Sequence, residues 1–192
     1  MLPNLLTIAR LASLPVIIGL FTNDRCFAAA AVFVAAMLTD CVDGWIARRF
    51  NQATPLGVYL DPVVDKIVVL SMLYALAFRH VIHPALPHLF LARELLQNAL
   101  RCAAAAKGSV VGANWMGKTK LVLQTILIAW GLIVAGASGL LPACACYFLN
   151  SALRAYAWTT LAVTWSFFAL FASQRAAQSR PPRTAARGPG HP

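Results

Sequence analysis

Long apolar runs of near-equal length follow one another along the chain, separated by short polar breaks: Leu5 to Phe21, Phe27 to Ala47, Leu56 to Phe78, Leu86 to Ala106, Met116 to Leu140 and Leu153 to Ala172. An α-helix rises about 1.5 Å per residue, so roughly 20 mostly apolar residues cross a hydrocarbon core about 30 Å thick. The pattern predicts an all-α, polytopic integral membrane protein with six transmembrane helices and nearly all its mass in the bundle. Pro15 falls inside the first run, where a proline commonly kinks a helix, and Pro55 suits the first turn of the third. Residues 1–175 read as one membrane-embedded domain. Residues 176–192, rich in Pro, Gly and Arg and without apolar periodicity, read as a disordered basic tail suited to an anionic lipid surface.

Composition agrees: 60% of the 192 residues are hydrophobic and only 11% charged, far from the balance of a soluble domain. The net charge of +10 would suit nucleic acid if it were clustered for that purpose, but the cations sort by membrane side instead. Arg48 and Arg49 follow the second run, Arg101, Lys107, Lys118 and Lys120 surround the fourth-to-fifth connection, and Arg175, Arg180, Arg183 and Arg187 lie in the tail. Arg25 and Arg79 mark the sparse opposite face, with Arg154 unassigned. The positive-inside bias then places both termini in the cytoplasm and excludes a nucleic-acid partner. Arg10 interrupts the first run and no basic segment precedes it, so this run is expected to persist as a span rather than act as a cleaved signal. Five cysteines, mostly within runs, do not form a disulfide framework. His80, His83 and His88 lie between prolines that break helical spacing, and are expected to belong to an interfacial loop rather than a metal site.

Against this apolar background, four of the six acidic residues fall within one short stretch, as Asp40, Asp43, Asp61 and Asp65. Ionised carboxylates near hydrocarbon cost several kcal/mol each, so such a group implies function. Asp40 and Asp43 are three apart and Asp61 and Asp65 four apart, which puts each pair on one face of its helix. If the second and third helices form an antiparallel hairpin, the four carboxylates converge into a hard anionic box suited to Mg²⁺ or Mn²⁺. Gly44, Ala47 and Gly57 leave bare helix surface beside them for a pyrophosphate, although small residues also serve helix packing. Arg48 adds a planar fork of donors.

Written as spacing, the stretch is D-x2-D-G-x2-A-R-x8-G-x3-D-x3-D, running from Asp40 to Asp65. It resembles the signature of the CDP-alcohol phosphatidyltransferases at every fixed position. The resemblance implies a six-helix membrane enzyme, usually a homodimer, in which two divalent ions clamp the pyrophosphate of a CDP-linked lipid while an alcohol displaces CMP. It implies Asp40, Asp43 and Asp61 as metal ligands, Asp65 as general base with a possible contact to a metal, and Gly44, Arg48 and Gly57 as nucleotide and pyrophosphate contacts. The opening P-N-L-L-T-x-x-R, the R-E-x6-L-R at Arg93 to Arg101 and the G-K-x-K at Gly117 to Lys120 look like the branch that uses sn-glycerol 3-phosphate, with CDP-diacylglycerol as donor, in the bacterial inner membrane with the active site facing the cytoplasm. On that reading Arg93, Arg101, Lys118 and Lys120 hold the acceptor phosphate; they would serve equally as topology anchors. Glu94, Asn98 and Arg101 form an i, i+4, i+7 stripe on the fourth helix.

Other acceptors, namely phosphatidylglycerol giving cardiolipin, inositol phosphate, or serine, would use the same core chemistry. A membrane cation transporter would explain the aspartates but not Gly44, Arg48 and Gly57 at fixed intervals. Gly112 to Thr119 satisfies G-x4-G-K-T, yet a phosphate-binding loop needs a strand before it and an α/β core around it.

Overall fold

The structure, a computed structural model, describes the backbone of residues 2–49, 55–106 and 115–178 and the side chains of residues 9–39, 63–106 and 119–173. The described residues are helical apart from short connections. The helices are α1 (Leu2–Thr22), α2 (Cys26–Arg49), α3 (Pro55–Phe78), α4 (Ala85–Ala106), α5 (Trp115–Ala137) and α6 (Ala143–Gln178). All six apolar runs are therefore helices, α1 continues through Pro15, and α3 starts at Pro55. The strand that a phosphate-binding loop at Gly112 to Thr119 would require is absent among the described residues, where α4 precedes that segment and α5 begins within it, at Trp115.

The connections at one end of the bundle are built by the same device. At the end of α1 the Asp24 N–H donates to the Phe21 carbonyl (3.3 Å) and the Arg25 N–H to that of Leu20 (2.9 Å). At the end of α3 the His80 N–H donates to Ala77 (3.0 Å) and the Val81 N–H to Leu76 (3.0 Å). Paired bonds of this kind cap a helix when the intervening residue turns left-handed. Asp24 and His80 do so, at φ 59° and 57°. Arg79 ties the two caps together, donating to Asp24 Oδ1 at 2.5 Å with its guanidinium 4.8 Å above the Phe21 ring.

The three histidines are engaged locally. His83 Nδ1 accepts from the Ala85 N–H, capping α4 ahead of Pro84, and its ring lies 5.9 Å from that of Trp158. His88 meets the Pro84 carbonyl and the edge of Tyr74.

The structure starts α6 earlier than the apolar pattern does, at Ala143 rather than Leu153. Asn150 and Ser151 make this stretch look polar. Their side chains instead donate back to the Cys146 and Phe148 carbonyls of the same helix, at 2.9 and 2.8 Å.

α3 lies at the centre, packed against α1, α4 and α5, while α5 also meets α2 and α6, and α4 meets α6. Ile17, Phe21, Phe33, Met72, Leu76 and Leu127 are fully buried at these contacts. Small residues let membrane helices approach closely. A Cβ on Gly131 would fall 2.8 Å from Leu76 Cδ1, and one on Gly136 would fall 3.1 Å from Cys26 Cβ. Among the described residues the main neighbours of α2 and α3 are α1 and α5, and the end where an α2–α3 hairpin would close lies outside the described side chains.

By length and composition, Thr119–Ala137 and Ala143–Ser173 are apolar enough to cross a bilayer; Ala9–Thr22 and Cys26–Thr39 are shorter apolar stretches. α3 and α4 carry most of the charged residues of the site described next, with Arg10 on α1 and Lys120 on α5.

Candidate active site

The site is built on α3, where Asp65 and Lys66 occupy consecutive positions. Successive residues on a helix project about 100° apart, so the two side chains address different neighbours. Asp65 accepts a hydrogen bond from the guanidinium of Arg10 on α1, whose side chain is almost wholly buried. Lys66 turns to α4, where its Nζ donates to Asn98 Oδ1 at 2.8 Å and lies 3.9 Å from Glu94 Oε2.

α4 contributes the stripe read from its sequence. Glu94, Asn98 and Arg101 all border a cavity of about 150 Å³ that is also lined by Asp65, Lys66, Lys120 and Gln124. Glu94 is buried, and its Oε1 accepts from Arg93 at 2.8 Å and from Lys120 on α5. This carboxylate therefore has three cationic neighbours. Placing a charge at that depth costs several kcal/mol unless it is answered by such partners. Lys120 and Gln124, one turn apart on α5, bring that helix to the same cavity.

Arg93 departs from its expected place. It is 2% exposed, its Nε donates to the Thr164 carbonyl of α6 at 3.2 Å and its Nη1 to Glu94, and it is not among the residues lining the cavity. Its guanidinium anchors α4 to α6 and supports Glu94. Lys66, from α3, stands beside Glu94 and Asn98 in its stead.

Asp65, Arg101 and Lys120 are thus brought to one cavity. The side chains of Asp40, Asp43, Asp61, Gly44, Arg48, Gly57 and Lys118 lie outside the described residues. Their backbones are in helices, with Asp61 one turn before Asp65 on α3 and Asp40 and Asp43 within the last three turns of α2. Five residues join Arg49 to Pro55, and six Cα–Cα steps span at most about 23 Å. That bound sets how far apart the ends of α2 and α3 can lie. Among the described residues no group of three His, Cys, Asp or Glu side chains converges to hold a metal.

Comparison with known sequences identifies the family. Residues 1–166 match the sequence model of the family described as CDP-alcohol phosphatidyltransferase. The chain belongs to that family. It is also 38% identical over 136 residues to proteins named CDP-diacylglycerol–glycerol-3-phosphate 3-phosphatidyltransferase from Escherichia coli (strain K12), Shigella flexneri serotype 5b and Shigella boydii serotype 4. The aligned part is 67% of this chain and 75% of each of those relatives. As a member of the family the chain is a membrane-associated transferase acting on a CDP-linked alcohol.

The structure adds Lys66 to the residues singled out from the sequence and gives Arg10, the last residue of the opening motif, a partner in Asp65. Each carried a signal: Arg10 is the only charge in an apolar run, and Lys66 directly follows the last aspartate of the signature.

Proposed function

We propose that this protein transfers the phosphatidyl group of CDP-diacylglycerol to sn-glycerol 3-phosphate, forming phosphatidylglycerol phosphate and CMP. The observation that carries the acceptor assignment is the cavity itself: a carboxylate, Asp65, stands on a wall that also presents Lys66, Arg101 and Lys120. A small phosphorylated alcohol needs this combination, cations for its phosphate and a proton acceptor for its hydroxyl.

In the proposed reaction the primary hydroxyl oxygen attacks the phosphorus that carries the diacylglycerol. The new P–O bond forms as the bond to the bridging oxygen breaks, and CMP leaves with that electron pair. The hydroxyl proton passes to Asp65. Lys66, Arg101, Lys120 and Lys118 orient the acceptor phosphate, and Gly44, Arg48 and Gly57 contact the cytidine diphosphate. Arg93 acts behind this group, through Glu94.

The donor set fits hard divalent cations, because it consists of carboxylates at helical spacing with neither thiolate nor imidazole among them. Asp40, Asp43 and Asp61, with Asp65, would hold two Mg²⁺ or Mn²⁺ ions. When bound, they would neutralise charge on the pyrophosphate and leaving group.

All six helices are proposed to cross the bacterial inner membrane in a homodimer, with residues 1–175 forming the membrane domain and 176–192 a basic cytoplasmic tail. The distribution of charge supports this orientation, since the Arg79 end carries few cations and the cavity end carries most. The decisive assay offers purified protein a labelled CDP-diacylglycerol with sn-glycerol 3-phosphate, phosphatidylglycerol, inositol phosphate or serine in turn, and identifies the lipid product. Turnover with any other acceptor in preference to sn-glycerol 3-phosphate would refute the assignment.

A further inference from the structure

We propose that Arg10 is a positioning residue for the transfer reaction, holding Asp65 toward the acceptor cavity. The inference rests on the reading of Asp65 as proton acceptor. The pair joins residues 55 positions apart, from near the middle of α1 to the middle of α3. Arg10 is the only charged residue in α1, and a lone guanidinium in an apolar helix is costly to bury. It is nevertheless 5% exposed, on a helix packed closely against α3 through a core that includes Ile17.

The geometry gives that cost a purpose. Asp65 is held by a donor on α1 while it lines a cavity whose other polar walls come from α4 and α5. A carboxylate can rotate about two side-chain bonds, and a donor fixed on a neighbouring helix selects one orientation from these. Among the described residues, Lys66, Arg101 and Lys120 supply the cavity's other cations, and they lie on the acceptor side. Arg10 approaches from α1. It therefore adds one positive charge beside the carboxylate proposed to take a proton, and it competes there with any divalent ion that Asp65 would help to hold.

Two effects of opposite sign follow from its removal. Turnover should fall because Asp65 is no longer oriented, and divalent-ion affinity should rise because a like charge beside the cations has gone. A role limited to holding the fold would lower both together.

The test uses the full-length protein in detergent, with Mn²⁺ binding measured by electron paramagnetic resonance alongside turnover and CDP-diacylglycerol affinity. For Arg10→Gln the expectation is a kcat about 10- to 100-fold lower, Mn²⁺ binding about three- to tenfold tighter, and CDP-diacylglycerol affinity within about threefold. Arg10→Lys, which keeps the charge without the planar fork, should bind Mn²⁺ within about twofold of the parent and show an intermediate kcat. Combining Arg10→Gln with Asp65→Asn should lower kcat no further than Asp65→Asn alone.

Weaker Mn²⁺ binding in both Arg10 variants, unchanged turnover in Arg10→Gln, a large loss of CDP-diacylglycerol affinity, or additive losses in the double variant would each overturn the proposal. Near-normal turnover in Asp65→Asn alone would instead refute the proton-acceptor reading on which it rests.

Discussion

Replacing Lys120 by Met tests whether the cavity is an acceptor-phosphate site. The side chain is 12% exposed, so it lies within the protein rather than in bulk solvent, and methionine retains most of its apolar volume. Its ammonium now answers Glu94, but Glu94 retains Arg93 at 2.8 Å and Lys66 at 3.9 Å, so the carboxylate is not abandoned. The main loss should fall on the ligand. A hydrogen bond to a charged group contributes about 1.5–3 kcal/mol, and each 1.4 kcal/mol is tenfold in affinity, so KM for sn-glycerol 3-phosphate should rise about 10- to 100-fold. KM for CDP-diacylglycerol should stay within about threefold, because Lys120 lines the cavity assigned to the acceptor and is held there by Glu94 of α4. The assay is release of labelled CMP in mixed micelles with each substrate varied at saturation of the other. An equal rise in both KM values, or an unchanged KM for the acceptor, would refute the reasoning.

Glu94→Gln should act on the same cavity with the opposite sign. It leaves buried Arg93 and Lys120 without their counterion, costing about 3–5 kcal/mol in thermal unfolding in detergent, while KM for sn-glycerol 3-phosphate falls because Lys120 no longer has to exchange a carboxylate for a phosphate. Gly131→Ala should destabilise by about 1–3 kcal/mol, since its Cβ would sit 2.8 Å from the Cδ1 of fully buried Leu76, and Leu76→Val should recover part of that loss in the same melting assay. Arg79→Gln should lower stability by no more than about 1–2 kcal/mol, because Asp24 is 83% exposed and the stacking on Phe21 is a single contact, and both KM values should stay within about twofold.

The helices and the acidic signature are legible in the sequence because each follows from a local rule: twenty apolar residues make a span, and carboxylates three or four apart share a helix face. What the sequence leaves open are partners chosen by tertiary packing. Arg10 reads as a break in the first apolar run, and nothing local indicates a carboxylate 55 positions away. Arg93 and Glu94 read as one basic-acidic motif, yet neighbours on a helix project about 100° apart. Glu94 faces α3 and α5, and Arg93 faces α6. The stripe of Glu94, Asn98 and Arg101 already contained that distinction, since Arg93 lies off it. The early start of α6 was hidden by side chains whose hydrogen bonds return to their own helix.

The consecutive placement of Asp65 and Lys66 explains how one helix can serve two chemically opposed halves of a site. Adjacent side chains on a helix project about 100° apart, and those of Asp65 and Lys66 turn to different helices, whereas Arg93 and Glu94 meet in an ion pair at 2.8 Å. Each is therefore available to another helix: Asp65 to α1 and Lys66 to α4. Moving either residue one position along α3 would turn it away from that partner. On the proposed reading, the acceptor must reach from the cations of α3, α4 and α5 to the carboxylate of α3, with its phosphate and hydroxyl at opposite ends of one small molecule. The cavity then selects by the separation of two groups as well as by charge. Arg10, behind the cavity, and Glu94, on its wall, set that separation on this reading, because each holds a partner at one end of it from a buried position.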